Sequence, residues 1–382
     1  MIASRLFRVA VVGVVAVGTI LAVAPNAGAV SQTYTVKVDG QPPTGESWSF
    51  LRFFPGPSIS VHQGDVMDFA FSSTDSPHTV TLTDDADPAA WRGINQAPGG
   101  PYELFVPDSQ LGGDDESLIL NPSVGAPSVP TCGTSANPCA FDSTKIVNSG
   151  IQFPNDPQPS FFVAVTAPVG SYSFLCLLHP GMEVKLTVAD AATTVPTPQQ
   201  VSNSGARQLK QATKIDGSAA DEMAQTVTRK NLASGPIVKI NAGGFANNVT
   251  ANEYPDKAVK VHVGDQVRFI GMPEIHTATF PKSSIGDPKY AFLQSFCEQV
   301  GADTPAQSPA DCSDPTKFET IANPLAVGPS KNLNLGNPSA FRNSGLMVPG
   351  ANGNFIAKKP GTYTFICLVH GPEMSGKLKI AA

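Results

Sequence analysis

Apolar and polar residues alternate over Tyr34-Thr-Val-Lys-Val38, the period-two signature of a strand with one buried face. Ser58-Ile-Ser-Val61 and Val66-Met-Asp-Phe69-Ala-Phe71 flank a Gly64-Asp65 turn. A third apolar run, His78-Thr-Val-Thr-Leu82, begins after Ser76-Pro77. The second half repeats this order with Val238-Lys-Ile240, Val259-Lys-Val261, Gly264-Asp265, Val267-Arg-Phe269 and His276-Thr-Ala-Thr-Phe280. Asn148-Ser-Gly150 is answered by Asn343-Ser-Gly345. Each half then runs through a Tyr-x-Phe-x-Cys strand into a return strand, Val184-Lys-Leu-Thr-Val188 or Lys377-Leu-Lys-Ile380. The offset between halves drifts from 200 at His62/His262 to 198 at His78/His276 and 191 at Cys176/Cys367. Shared order with drifting offset predicts duplicated domains with loops of different length, not a short-period array. Short strands between Gly and Pro turns, without strand–helix alternation, predict an all-β sandwich in each half, over 30–190 and 235–382.

Three kinds of segment fall outside this pattern. Residues 191–234 form a linker, opening with Thr, Pro and Gln. Over 205–232 its composition is helical, with Leu209, Ala212, Met223, Val227 and Leu232 loosely on one face and Gly217 as an interruption. Segments 84–147 and 283–342 are rich in Pro, Gly, Asp and Ser and read as loop-rich insertions, the kind that either cover a functional site or lack order. At the N-terminus, Arg5 and Arg8 precede an apolar run from Val9 to Ala24 and the small residues Ala27-Gly-Ala29. This predicts a signal peptide over 1–29, with an uncleaved membrane anchor as the alternative. No other stretch is apolar for the roughly 18 residues that a span requires. The expected location is extracellular or in the cell envelope.

Only 15% of the residues are charged. Without 1–29, 23 basic residues stand against 31 acidic ones. An acidic chain with no basic stripe argues against nucleic acid or anionic lipid as a partner. A redox partner protein, if there is one, is not identifiable from composition.

The 6 cysteines change the picture more. In an oxidising compartment, Cys132, Cys139, Cys297 and Cys312 allow three pairings. The local one, Cys132–Cys139 and Cys297–Cys312, staples one loop in each half, although cross-pairing is open at this level. Cys176 and Cys367 remain, and both sit in the repeated stretch. It reads Tyr172-Ser-Phe-Leu-Cys176-Leu-Leu-His179-Pro-Gly-Met182 in the first half. In the second it reads Tyr363-Thr-Phe-Ile-Cys367-Leu-Val-His370-Gly-Pro-Glu-Met374. Thiol, imidazole and thioether within seven or eight residues are ligands that suit copper, and a His₂Cys set with a weak axial Met defines a blue-copper site. The missing imidazole is His78 in one half and His276 in the other. By alternation, Tyr172, Phe174 and Cys176 share the core face, as do Tyr363, Phe365 and Cys367. His62 and His262 fall on the solvent side and are not expected to be ligands. Structural zinc is disfavoured because it has no use for the Met.

The pattern Gly-Asp-x-Val-x-Phe, Pro-His and Tyr-x-Phe-x-Cys-x-x-His-Pro-x-Met resembles the cupredoxins, the plastocyanin, pseudoazurin and amicyanin group. Gly64, Asp65, Phe69, Pro77, His78, Cys176, His179, Pro180 and Met182 carry it in the first half. Gly264, Asp265, Val267, Phe269, His276, Cys367, His370 and Met374 carry it in the second. The resemblance implies two tandem Greek-key β-sandwich domains joined by a partly helical linker. It also implies one type 1 copper in each domain, held by His78, Cys176, His179 and Met182 and by His276, Cys367, His370 and Met374. One-electron transfer rather than catalysis is the implied activity, with copper storage as the alternative. Tandem-domain oxidases and nitrite reductases need further histidines in His-x-His arrangements, and this chain has none. The second half departs from the pattern with Ile275 for Pro77, Gly371 for Pro180 and one extra residue before Met374. Those departures imply a differently tuned second site.

Overall fold

Thr33–Val38 buries Tyr34, Val36 and Val38, as its alternation dictates, and lies parallel to Val66–Phe71. These two strands are the centre of a five-stranded sheet. Its order is Phe53–Phe54, Thr33–Val38, Val66–Phe71, Ser160–Val165, Cys139–Phe141. A second sheet, ordered Val147–Asn148, Thr81–Thr83, Gly170–Leu175, Glu183–Ala189, Ser58–His62, packs across from it. Phe53, Phe69 and Phe174 fill the space between, Phe174 meeting each of the other two edge-on at 5.0 Å. The computed structural model describes residues 30–71, 76–83, 104–107, 118–152, 159–179, 181–233, 235–297, 304–306, 311–313 and 318–382. The expected signal segment 1–29 and Pro180 lie outside the described residues.

The second half builds a sandwich with the same strand order except at one edge, where the strand beside Gly235–Ala242 comes before it in the chain rather than after. One sheet runs Val227–Leu232, Gly235–Ala242, Gln266–Gly271, Asn352–Ala357, Asn334–Leu335. The other runs Val259–His262, Gly371–Ala381, Gly361–Cys367, Thr279–Phe280, Arg342–Asn343. Tyr254, Phe269 and Phe365 take the central aromatic positions, with Phe365 4.8 Å and 5.0 Å from the other two rings. The Gly-Asp turns match in detail. Gly64 and Gly264 adopt φ of 94° and 95°, and Asp65 and Asp265 each accept the N–H of the histidine three residues earlier. The two disulfides are the local ones, Cys132–Cys139 and Cys297–Cys312.

The linker differs from expectation in both extent and type. Its helix starts earlier, at Pro198–Ala212, because Thr197 and Gln200 form a reciprocal capping box with proline at the first helical position. A wide turn, Thr213–Gly217, then leads into Ser218–Ala224 without a break. Gly217 is helical, and glycine is needed there because a Cβ would collide with the Trp48 ring. Residues 227–232 are not helical. Val227–Leu232 pairs antiparallel with Gly235–Ala242 as the edge strand of the second half, ahead of the expected domain start at 235. The β-branched Val227 and Thr228 favour an extended edge over a helix end.

The insertions also hold more structure than expected. Phe105–Pro107 and Leu118–Leu120 from the first join Leu293–Cys297, Thr304–Pro305 and Phe318–Ala322 from the second in a single sheet, with Ile119 opposite Ile321. At a second place Trp48–Phe50 pairs antiparallel with Val249–Ala251. In both cases matched segments of the two halves pair with each other, as a local two-fold axis requires. Trp48, Phe50, Phe54, Val249 and Ala251 then bury themselves against Ala212, Ala220 and Ala224 of the linker. Gln32–Ala382 is thereby one compact unit.

Candidate metal centres

Each centre is assembled where two neighbouring strands end. Cys176 follows Gly170–Leu175 and Cys367 ends Gly361–Cys367, and both thiols are buried and free. His78 and His276 precede the short strands Thr81–Thr83 and Thr279–Phe280, and backbone bridges to Gln152 and Met347 hold them. A threonine fixes the cysteine relative to the histidine in both halves. The Thr79 N–H donates to Cys176 Sγ at 3.3 Å, and Thr79 Oγ1 accepts the Leu177 N–H at 2.7 Å. Thr277 repeats both contacts with Cys367 and Leu368, at 3.3 and 2.8 Å. The ligand loop of the first half closes on itself, Cys176 N–H donating to the Met182 carbonyl at 2.9 Å. In the second half the pairing register shifts at this point, Ile366 lying opposite Ser375 and Cys367 opposite Gly371. Met182 and Met374 are both buried in the apolar cluster of their own cysteine.

The donor atoms converge. His78 Nδ1 and His179 Nδ1 are 3.1 Å apart, with Cys176 Sγ 3.5 Å from the latter and 3.9 Å from the former. His276 Nδ1 and His370 Nδ1 are 3.2 Å apart, and Cys367 Sγ is 3.5 Å from His370. The other edge of the rings sets the tautomer. His78 Nε2 donates to Asp39 Oδ2 at 2.7 Å and His179 Nε2 points to Glu274 Oε1 at 3.3 Å. With those protons on Nε2, two bare Nδ1 lone pairs and a thiol sulfur face one point, an arrangement that only a proton or a cation relieves. Burial alone would raise both thiols, but His179 with His78, and His370 with His276, hold them well below the ordinary range. Burial alone would lower His179, but the Cys176 thiolate and Glu274 push it up to about 10. The thiol and the two imidazoles thus favour opposite charges on one another at the place where a soft cation fits.

The two centres are not alike behind the ligands. Asp39 follows its strand at φ 65°, and its carboxylate outweighs the burial that would otherwise lower His78, so His78 is raised. Gly243 occupies the corresponding place after Gly235–Ala242, at φ 84°, and its missing Cβ would stand 2.9 Å from His276 Nε2. Among the described residues His276 Nε2 is buried without a hydrogen-bond partner, and burial lowers that imidazole. The outer histidines instead share one residue, with His370 Nε2 3.8 Å from Glu274 Oε2. Burial would raise Glu274, but the His179 hydrogen bond and the charge of His370 hold its carboxyl well below the usual range. Beside these groups lies an apolar cavity of about 90 Å³, whose lining includes Leu104, Phe105 and Phe292 from the insertions. The insertions thus cover the face on which both outer histidines meet.

Six of the eight expected ligands come together at these two places, His78 with Cys176 and His179 and His276 with Cys367 and His370, while Met182 and Met374 are buried in the apolar cluster of their own cysteine. His62 is half-buried and bonds the Thr193 carbonyl, and His262 is exposed beside Asp265. Tyr172 departs from expectation. It is only half-buried, its hydroxyl donating to the Pro168 carbonyl, whereas Tyr363 is fully buried. Sequence reasoning missed Asp39, Thr79, Thr277 and Glu274. A signal for Glu274 was present, since an offset of 198 aligns it with Ser76.

No family model matches the chain, and no curated relative matches it. Among solved structures it is similar to reduced auracyanin from Roseiflexus castenholzii, with 21% identity, 42% of this chain and 98% of that one covered and a TM-score of 0.24. Plastocyanin from Dryopteris crassirhizoma is similar at 21% identity, 41% and 99% coverage and a TM-score of 0.19. The blue copper oxidase from Nitrosomonas europaea is similar at 12% identity, 92% and 86% coverage and a TM-score of 0.21. Each of the two sandwiches of this chain brings one His/Cys/His set of donor atoms together.

Proposed function

We propose that the chain binds copper at two mononuclear His₂Cys centres and works in one-electron transfer. In this reading 30–190 and 235–382 are its two domains, with 191–234 linking them. His78, Cys176, His179 and Met182 hold one ion, and His276, Cys367, His370 and Met374 hold the other. The observation that carries the reading is the pair of Nδ1 atoms facing each other beside a buried thiol, at 3.1 Å in one centre and 3.2 Å in the other. Copper bound there supplies a one-electron couple at a thiolate-rich site. The protein's part is to hold rings and thiol in place. Thr79 and Thr277 fix the sulfur, Asp39 and Glu274 fix the ring tautomers, and the buried setting excludes water.

An oxidase would need imidazoles beyond these two sets. The remaining histidines, His62 and His262, sit at the opposite turns with other neighbours, which supports the electron carrier over the enzyme. Disulfides fit an oxidising compartment, and with the signal-like 1–29 segment they support export to the envelope or beyond. No described helix is long and apolar enough to cross a membrane.

The test is to load the mature chain with Cu(II) and record visible absorption, EPR and copper content, with Cys176→Ser and Cys367→Ser beside it. Two coppers per chain, each with an intense thiolate band removed by one substitution, are expected. A colourless protein that holds only Cu(I) would make storage the better reading. Absence of bound copper would end both.

A further inference from the structure

Glu274 belongs to no ligand motif, yet among the described residues its carboxylate faces a histidine of each centre. Its side chain is only 3% exposed, and each oxygen serves a different half. Oε1 accepts from Ser76 Oγ at 3.0 Å and faces His179 Nε2 at 3.3 Å, both in the first half. Oε2 accepts from Thr250 Oγ1 at 2.7 Å and faces His370 Nε2 at 3.8 Å, both in the second. Ser76 and Glu274 stand two residues before His78 and His276, so they are matched positions that meet near the local two-fold axis. A group near such an axis is within reach of equivalent partners on both sides. One carboxylate can therefore orient two histidines, but it has only one negative charge to divide between them.

We infer that Glu274 is a positioning residue shared by the two centres and that it couples them, so that filling one weakens metal binding at the other. The inference rests on the copper reading above. An ion on His179 Nδ1 makes the Nε2–H a stronger donor and draws the carboxylate toward it. His370 then loses part of the nearby negative charge that keeps its own Nδ1 basic, and a less basic ligand binds a cation less well. The same holds with the halves exchanged, because coupling between binding sites is reciprocal. Asp39 does not enter this exchange, since the histidine it bonds is His78.

The test uses Cu(I) under anaerobic conditions, titrated against a competing chelator. Cys367→Ser and Cys176→Ser supply the affinity of each centre with the other silenced. The product of those two association constants should exceed the overall constant for loading both centres of the native chain by about fivefold or more, the lower end of typical coupling. In Glu274→Gln, with the same two cysteine substitutions as references, the ratio should fall close to one. Equal products in the native chain, or a ratio unchanged by Glu274→Gln, would overturn the inference while leaving two copper sites in place. Failure of any centre to take Cu(I) would overturn the copper reading itself. A second measurement leaves Glu274 intact. In Cys176→Ser, filling the second centre with diamagnetic Cu(I) should shift the ¹⁵N resonance of His179 Nε2, and an unmoved resonance would rule the bridge out.

Discussion

Replacing Thr79 by valine removes one hydroxyl from the junction between the histidine strand and the cysteine loop. Thr79 and Leu177 are both fully buried, and Thr79 Oγ1 accepts the Leu177 N–H at 2.7 Å while lying 3.8 Å from Cys176 Sγ. Valine keeps the shape, so little cavity forms. The Leu177 N–H loses its partner where water does not reach, which costs about 1–3 kcal/mol. The added methyl returns less than about 1 kcal/mol of apolar burial. The net expectation is a loss of about 2 kcal/mol, or roughly 4 °C in Tm at about 2 °C per kcal/mol for a unit of this size. Thermal and urea unfolding of the metal-free protein would measure it. Thr277→Val should behave alike, because the Leu368 N–H makes the same bond at 2.8 Å. Thr79→Ser keeps the hydroxyl and should recover most of the loss. If valine is neutral, or serine is as damaging as valine, the hydroxyl does not pin the ligand loop and the account of the junction is wrong.

Asp39→Asn removes the charge behind His78 and should weaken copper binding at the first centre by about 10- to 100-fold, with the second unchanged, in chelator competition. Gly205→Ala sets a helix-propensity gain of about 1 kcal/mol against a Cβ only 2.9 Å from the Phe54 backbone, so urea unfolding should show a net loss of about 1–2 kcal/mol rather than a gain. Glu253 lies against Asp221 and Glu46, and burial, opposed by the Ser47 N–H and reinforced by Asp221, raises its carboxyl to about 7. Its folded value exceeds its unfolded one, so the contribution of Glu253 to stability is full below about pH 4.5 and is lost as pH rises through about 7. Glu253→Gln should flatten that slope and add on the order of 1 kcal/mol at pH 8 after allowance for solvent screening.

The convergence of the His/Cys/His donors was legible because chemistry and chain proximity coincide. Cys176, His179 and Met182 share one loop, and only His78 had to be found elsewhere, at the start of a strand that the period-two pattern exposes. The linker was legible in composition but not in extent. Its start was written in Thr197 and Gln200, whose reciprocal cap outweighs the Thr/Pro/Gln composition around it. Its end was obscured because Met223, Val227 and Leu232 also fit a helical stripe, and pairing with Gly235–Ala242 decides for a strand. Asn148 and Asn343 show another limit. Both appeared as matched positions, but their work is three-dimensional. Each amide donates to three carbonyls of the loop before it, at Ser123, Val124 and Ala126 or at Leu325, Ala326 and Gly328.

What reading each half alone could not show is the relation between the halves. Ser76 and Glu274 are ordinary polar residues before a strand until the two copies of that position are brought together. The local two-fold that pairs Trp48–Phe50 with Val249–Ala251, and Leu118–Leu120 with Phe318–Ala322, does this. It also explains why the insertions are long, since each must reach its counterpart to cover the shared face. The consequence for the centres is unequal. Each half carries its own donor set, and the first also carries Asp39 for its inner histidine. The carboxylate for both outer histidines comes from the second half alone. A separated first half would keep His78 anchored and lose the acceptor on His179. The pair of centres, not the single domain, is therefore the unit in which a carboxylate bonds His78 and His179 and lends its charge to His370.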